Sequence, residues 1–194
     1  MRTIRKKVIN EMIINKSRFI TIIMPLFDVC DVKDSLDEIK TKYKDATHYC
    51  FGYIINGLQK ASDDGEPGGT AGMPILNVLK NNELTDVLCV VVRYFGGIKL
   101  GAGGLVRAYS SSACEALDKC DFGYVVDGFE VSIKFDYSMS KKIDYILKGI
   151  DVSKEFGESV IYTFVIDDEN IIDSLKMHSE ILYKKKKKMI KDEV

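Results

Sequence analysis

Apolar residues follow three different rhythms along this chain. From residue 8 to 27 (VINEMIINKSRFITIIMPLF) they alternate and then run together, which predicts one or two strands turning near Asn15 and Lys16. Val32, Leu36, Ile39 and Tyr43 instead recur at helical spacing behind Asp31 and Asp34, acids suited to a helix start, so an amphipathic helix is expected over 31–44. HYCFGYII (48–55) is rich in aromatic and β-branched residues and reads as a strand. Pro74 sits where a first-turn proline belongs, with Ile75, Val78 and Leu79 behind it marking a short helix. DVLCVVVRYFGG (86–97) opens as a near-continuous apolar run, the mark of a strand covered on both faces, and Gly96 and Gly97 end it. A helix from about Gly104 to Lys119 follows. Ala108, Ser112 and Ala116 give it a small-residue stripe suited to close packing on a sheet, and no base near the serines in sequence supports a nucleophilic role.

The rest of the chain is a smaller unit. FGYVVDGFEVSIKFDY (122–137) is extended, with a break expected at Asp127-Gly128. A strand, a helix (138–149), two strands (the second at 159–167) and a helix (168–182) give the order β-α-β-β-α, the start of a ferredoxin-like arrangement. Its last strand is not visible in the pattern: the chain ends in KKKKKMIKDEV, expected to be a loosely ordered, solvated tail. The domains are therefore placed at residues 1–127 and 128–194.

Composition changes this picture little. At 194 residues, 46% hydrophobic and 29% charged, the chain is an ordinary globular protein, with room for one large or two small cores. No apolar run reaches the roughly 18 residues that span a bilayer, and the basic start lacks the apolar core of a signal peptide. Five scattered cysteines without a C-x-x-C pair point to reduced thiols in a cytoplasmic protein. The net charge of −1 pushes toward neither nucleic acid nor membrane, so an anion-binding surface has to be local. Two local concentrations of positive charge exist: Arg93, Lys99 and Arg107, and the run Lys184 to Lys188.

Two loops carry candidate chemistry. SDDGEPGGTAGMP (62–74) is too long and too rich in glycine to be a plain turn. Asp63, Asp64 and Glu66 either hold a hard cation or accept backbone N–H groups within the loop's own turns. The spacing fits no calcium-loop pattern. FGGIKLGAGGLVRAY (95–109) places glycines ahead of a helix, where backbone N–H groups and the helix dipole favour an anion, although it is neither a phosphate-loop nor a dinucleotide fingerprint. His48 reads as a strand-end residue, or as the partner of a loop carboxylate. Arg93 either emerges at its strand end or is buried against a carboxylate such as Asp63 or Asp64. Tyr94 and Phe95 could stack on bases or pack in the core.

Together, SDDGEPGGTAGMPIL and VVVRYFGGIKLGAGGLVRAY resemble the signature of the YigZ/IMPACT family, and KSRFI (16–20) and DATHYCFGY (45–53) are similar to its earlier motifs. The resemblance is dense over residues 15–120 and rests beyond 128 on length and strand order alone. It implies an α+β protein whose first domain has the two-layer fold shared by a small-subunit ribosomal protein and the GHMP-type small-molecule kinases, followed by a ferredoxin-like domain. The family's eukaryotic branch acts in translational control through a protein scaffold, and nucleic-acid binding has been suggested for bacterial members. The expected function is accordingly non-catalytic: a translation-linked protein that engages RNA or a ribosome-associated partner, with no cofactor, metal, membrane or sequence-specific DNA. Its cleft would be formed by Arg93, Tyr94, Gly96, Gly97, Lys99, Gly101, Gly103, Gly104 and Arg107. His48, Asp63, Asp64, Glu66 and Thr70 would be one wall. The alternative is a phosphate-handling enzyme of kinase-like fold that uses Asp63 or Asp64 to hold magnesium.

Overall fold

A computed structural model describes residues 1–192. The chain divides into two compact units, Met1–Tyr124 together with Asp192, and Val125–Lys191. Both combine helices with antiparallel strand pairs, the mixed α/β class expected. Among the described residues no helix is long and apolar enough to cross a membrane.

The first unit is built on a five-stranded antiparallel sheet in the order β2-β3-β6-β4-β5, from β2 (Val8–Ile14), β3 (Ser17–Pro25), β4 (His48–Ile55), β5 (Leu58–Ser62) and β6 (Val87–Tyr94). A short strand, β1 (Arg2–Ile4), pairs with residues 122–124 at the start of β7 (Phe122–Phe135). The turn between β2 and β3 falls where the pattern puts it. Asn15 and Lys16 both adopt positive φ (46° and 65°), the two-residue geometry whose twist matches a hairpin.

Because side chains alternate along a strand, β3 and β6 serve two cores at once. Ile20, Ile22 and Met24 of β3 and Leu88, Val90 and Val92 of β6 face one side, where Val32 and Ile39 of α1 (Asp31–Lys42) cover them. Phe19 and Ile23, with Cys89 and Val91, face the other side beneath α2 (Gly72–Asn81) and α3 (Gly101–Leu117). Small residues let α3 lie close: Ser112 is fully buried, its hydroxyl 2.8 Å from that of Thr21 on β3. Gly72 is a forced choice, since a Cβ there would stand 2.5 Å from the backbone nitrogen of Ser62.

The second unit follows the order β7, α4 (Ser140–Ile146), β8 (Val152–Phe156), β9 (Val160–Ile166), α5 (Glu169–Lys176), β10 (Glu180–Asp192). Ile143 and Leu147, at and just beyond α4, and Ile172 and Leu175 of α5 pack on Val131, Ile133, Tyr162 and Phe164 of the sheet. Two expectations fail here. β7 runs unbroken through Asp127-Gly128, and the lysine-rich tail is a 13-residue strand paired with β7. Lysine is a poor strand former, but local preference yields to neighbours. Lys185 lies 2.6 Å from Glu130, and Lys187 also pairs with Glu130. Lys184 reaches Glu169 at 3.0 Å and sits 3.8 Å over the Phe129 ring, while Lys191 meets Asp167 at 2.5 Å. Lysines on an outer strand also discourage strand addition by other chains.

Hydrogen bonds from Lys185 and Lys187 hold the Glu130 carboxyl down at about 2. An unfolded glutamate titrates near 4.3, so this ionised group stabilises the fold above that pH, and the benefit fades as pH falls toward the native value. Glu130→Gln should cost on the order of 1 kcal/mol at neutral pH, the half-exposed lysines being screened by solvent. For a unit of this size that is roughly a 4–8 °C lower midpoint. Thermal melts from pH 7 to pH 2 should show the gap between the two proteins closing with acid; a gap independent of pH would remove Glu130 as the anchor of β10.

Candidate functional site

Register assembles the site. His48 on β4 and Phe19 on β3 both pair with Arg93 on β6, so the three lie side by side across the sheet. Alternation turns all three toward the face carrying α3, the face that also holds Cys50 and Val91. Arg93 is therefore a buried cation on the side of a core.

The long loop supplies its counter-charge. Glu66 Oε1 accepts a 2.5 Å hydrogen bond from Arg93 Nη1 and a 2.8 Å bond from the Tyr109 hydroxyl of α3. Both charged side chains are at most 5% exposed. Ser17 on β3 accepts from Arg93 Nη2 at 3.3 Å and from the Gly96 N–H at 3.2 Å. The guanidinium lies 5.4 Å from the ring centre of Phe19 and 5.5 Å from that of Phe95, within cation–π range of both. Burial pushes the Tyr109 hydroxyl well above its ordinary pKa and the Cys50 thiol up to about 12, so both stay protonated and donate. Cys50 Sγ lies 3.0 Å from the Asp63 carbonyl and 3.3 Å from the Tyr109 hydroxyl.

The other loop acids hold the loop itself. Asp63 Oδ1 accepts from the N–H groups of Ala71 (3.0 Å) and Gly72 (2.8 Å) at the start of α2, and Oδ2 accepts from Gly69 (2.8 Å). Burial opposes its charge, but these three donors outweigh it and keep Asp63 below the usual carboxylate range. Asp64 Oδ2 accepts the Tyr49 N–H at 2.6 Å, and its carbonyl lies 2.8 Å from His48 Nδ1. Thr70 bonds the Pro67 carbonyl at 2.6 Å. With Asp63 spent on backbone donors, the arrangement offers no support for magnesium there, and among the described residues no group of His, Cys, Asp and Glu forms a metal-binding cluster.

A pocket of about 420 Å³ opens above this network. His48, Glu66 and Arg93 form its inner wall, and Phe95, Lys99, Gly101 and Leu105 are among its other lining residues. α3 begins at this pocket without a side-chain cap and with no acid in its first turn, so its first N–H groups are left as donors. The residues expected to share one cleft are thus separated. Lys99 and Gly101 join His48, Glu66 and Arg93, but Arg93 is neutralised by Glu66 instead of Asp63 or Asp64. Arg107 and Gly104 line a neighbouring groove with Asn15 and Glu115, and Gly97 and Gly103 line neither space. Tyr94 faces the opposite side of the sheet, bonded to the Lys44 carbonyl at 3.0 Å. Gly96 abuts the β2–β3 turn, where a Cβ would collide with Lys16 at 2.0 Å. Tyr109 and Ser17 escape sequence reading altogether; the one hint is a lone large residue within the small stripe of α3.

Fold and site define a two-unit α/β scaffold with a polar-floored pocket in its first unit. The Impact N-terminal domain model matches residues 15–117. The chain is 47% identical over 119 residues to the IMPACT family member YvyE of Bacillus subtilis, covering 60% of this chain and 55% of that protein. With the IMPACT family member YigZ of Escherichia coli it shares 34% identity over 143 residues, 71% of this chain and 70% of the relative. A crystal structure of a hypothetical protein superposes with a TM-score of 0.64 at 26% identity, over 93% of this chain and 95% of that one. The chain belongs to the YigZ/IMPACT family.

Losing one member of the buried pair strands the other. Arg93→Met or Glu66→Leu alone should cost about 3–5 kcal/mol in urea unfolding, and the double variant far less than their sum. Additive costs below about 1 kcal/mol each would mean the pair does not organise the site.

Proposed function

We propose that this chain is a non-catalytic binding protein linked to translation, which engages RNA through the pocket at the start of α3. The translational link draws on family membership, because the eukaryotic branch acts in translational control. The ribosomal-protein-like and ferredoxin-like fold assignments belong to the same reading. A single observation carries the RNA part: uncapped helix N–H groups, Lys99 and a 46% exposed Phe95 surround one pocket. Helix N-termini and lysines attract phosphate, and exposed aromatic rings stack on unpaired bases.

The geometry narrows the charge that does this. Arg93 is already paired, and four of the lysines along β10 are held by carboxylates of the same unit. A cavity of about 660 Å³ in the second unit has Glu130, Asp151, Asp167 and Asp168 in its lining, a poor setting for phosphate. Lys99 is therefore the residue on which RNA affinity turns.

Filter binding of single-stranded and ribosomal RNA at two salt concentrations tests this. Lys99→Ala should weaken retention several-fold and flatten the salt slope by about one unit, whereas Lys186→Ala should change little. Retention that depends on Lys186 and ignores Lys99 would sink the pocket as the RNA site, and absence of retention would sink RNA as the partner.

A further inference from the structure

The floor of the pocket is a pair of acceptors. Glu66 gives Oε1 to Arg93 and Tyr109, but among the described residues Oε2 receives no hydrogen bond, although the side chain is only 4% exposed. His48 Nε2 lies 3.8 Å from it. A carbonyl can only accept, so the 2.8 Å contact between His48 Nδ1 and the Asp64 carbonyl puts the proton of the neutral ring on Nδ1. In that neutral tautomer Nε2 is a lone-pair acceptor beside a second acceptor that it cannot bond; a protonated ring would instead pair with Glu66. Both groups line the pocket, the Glu66 side chain 4% and the His48 side chain 19% exposed, so each acceptor is open to a ligand there.

A ligand that presents two adjacent N–H donors completes this floor. Among the four RNA bases only guanine does so, with N1–H next to the 2-amino group. Adenine and cytosine each present one amino group beside a ring acceptor, which would face the carboxylate or the imidazole lone pair. Uracil presents one N–H between two carbonyls. At the mouth, Phe95 offers a ring face, and Lys99 and the free amides of α3 suit a phosphate. We propose that the pocket binds a guanine nucleotide, with N1–H on Glu66 Oε2, the 2-amino group on His48 Nε2, the base against Phe95, and phosphate toward Lys99. This deepens the RNA reading and rests on the same pocket; the nucleotide is either free or an unpaired guanosine within RNA.

Calorimetric titration of the full chain with GMP, IMP, AMP and UMP tests the selection, because IMP is GMP without the 2-amino group. GMP should bind at least ten-fold more tightly than the other three. His48→Ala should bring the GMP-to-IMP ratio close to one, and Phe95→Ala should weaken both ligands alike. Circular dichroism confirms that each variant folds. A guanosine-containing oligonucleotide that displaces GMP more effectively than a uridine oligonucleotide locates the ligand in RNA; equal displacement locates it in the free nucleotide. Equal affinity for GMP and IMP overturns the proposal, as does no binding of any nucleotide at millimolar concentration, or occupancy by methylguanidinium in place of GMP. Lys99-dependent RNA retention with equal GMP and IMP affinity would remove guanine selection and leave RNA engagement standing. GMP selection without RNA retention would do the reverse.

Discussion

Glu66 and Arg93 leave water together, and each makes sense only because the other is present. Removing two charges from solvent costs several kcal/mol per ion, which their mutual attraction offsets only with good geometry and further hydrogen bonds. Those extra bonds come from elements far apart in sequence: Ser17 of β3, Tyr109 of α3 and the loop that carries Glu66. One ion pair thereby ties two strands, a helix and a loop to a single arrangement. It also answers why a loop with three acids is kept so long. Asp63 and Asp64 fasten the loop to α2 and β4, and that fastening delivers Glu66 to a cation at the end of the sheet.

The same constraint shapes what is left for a ligand. Arg93, buried and neutralised, is spent on structure. Its partner carboxylate has two oxygens, of which the network occupies one. The remaining oxygen faces the pocket beside a histidine whose other nitrogen is already committed to a carbonyl. Pairing of the cation therefore leaves an acceptor pair on the floor of a space that Thr47 and Lys99 line together with Pro67, Phe95, Leu100 and Leu105. Positive character is confined to the opposite end, where α3 starts without a cap.

How far the sequence disclosed this depends on the range of the forces involved. β2, β3, β4 and β6 are legible because alternation and apolar runs are local consequences of burial. β10 is not, since a run of lysines becomes a strand only when Glu130, Glu169 and Asp167 are brought alongside by the rest of the unit. β5, with exposed Leu58, Gln59 and Lys60, carries no burial pattern to read and exists through pairing with β4. In the site, the glycine and acidic residues announce unusual loops, and a buried Arg93 with a carboxylate partner is one of two readings the pattern allows. Which carboxylate it meets is fixed by strand register and loop path, and no short-range rule contains either. The three cations grouped by sequence proximity separate for a similar reason: Arg107 lies well along α3, and helical rotation carries it into a neighbouring groove.

Polar cores usually threaten specificity, because a half-satisfied network is worse than an apolar one. Here the unbonded Glu66 oxygen belongs to a residue that lines a cavity, where a ligand can supply the missing donor. Cys50, Tyr109 and Ser17 each have their bond, while Arg93 bonds through both Nη atoms and leaves its buried Nε without a partner. Oε2 of Glu66 and Nε2 of His48, 3.8 Å apart, are the atoms on which the proposed ligand would close the network. A network made only for stability would have closed this end with a donor from the protein, and a threonine or asparagine on the adjacent loop could have done so. The open end is where selection for a ligand would leave its mark.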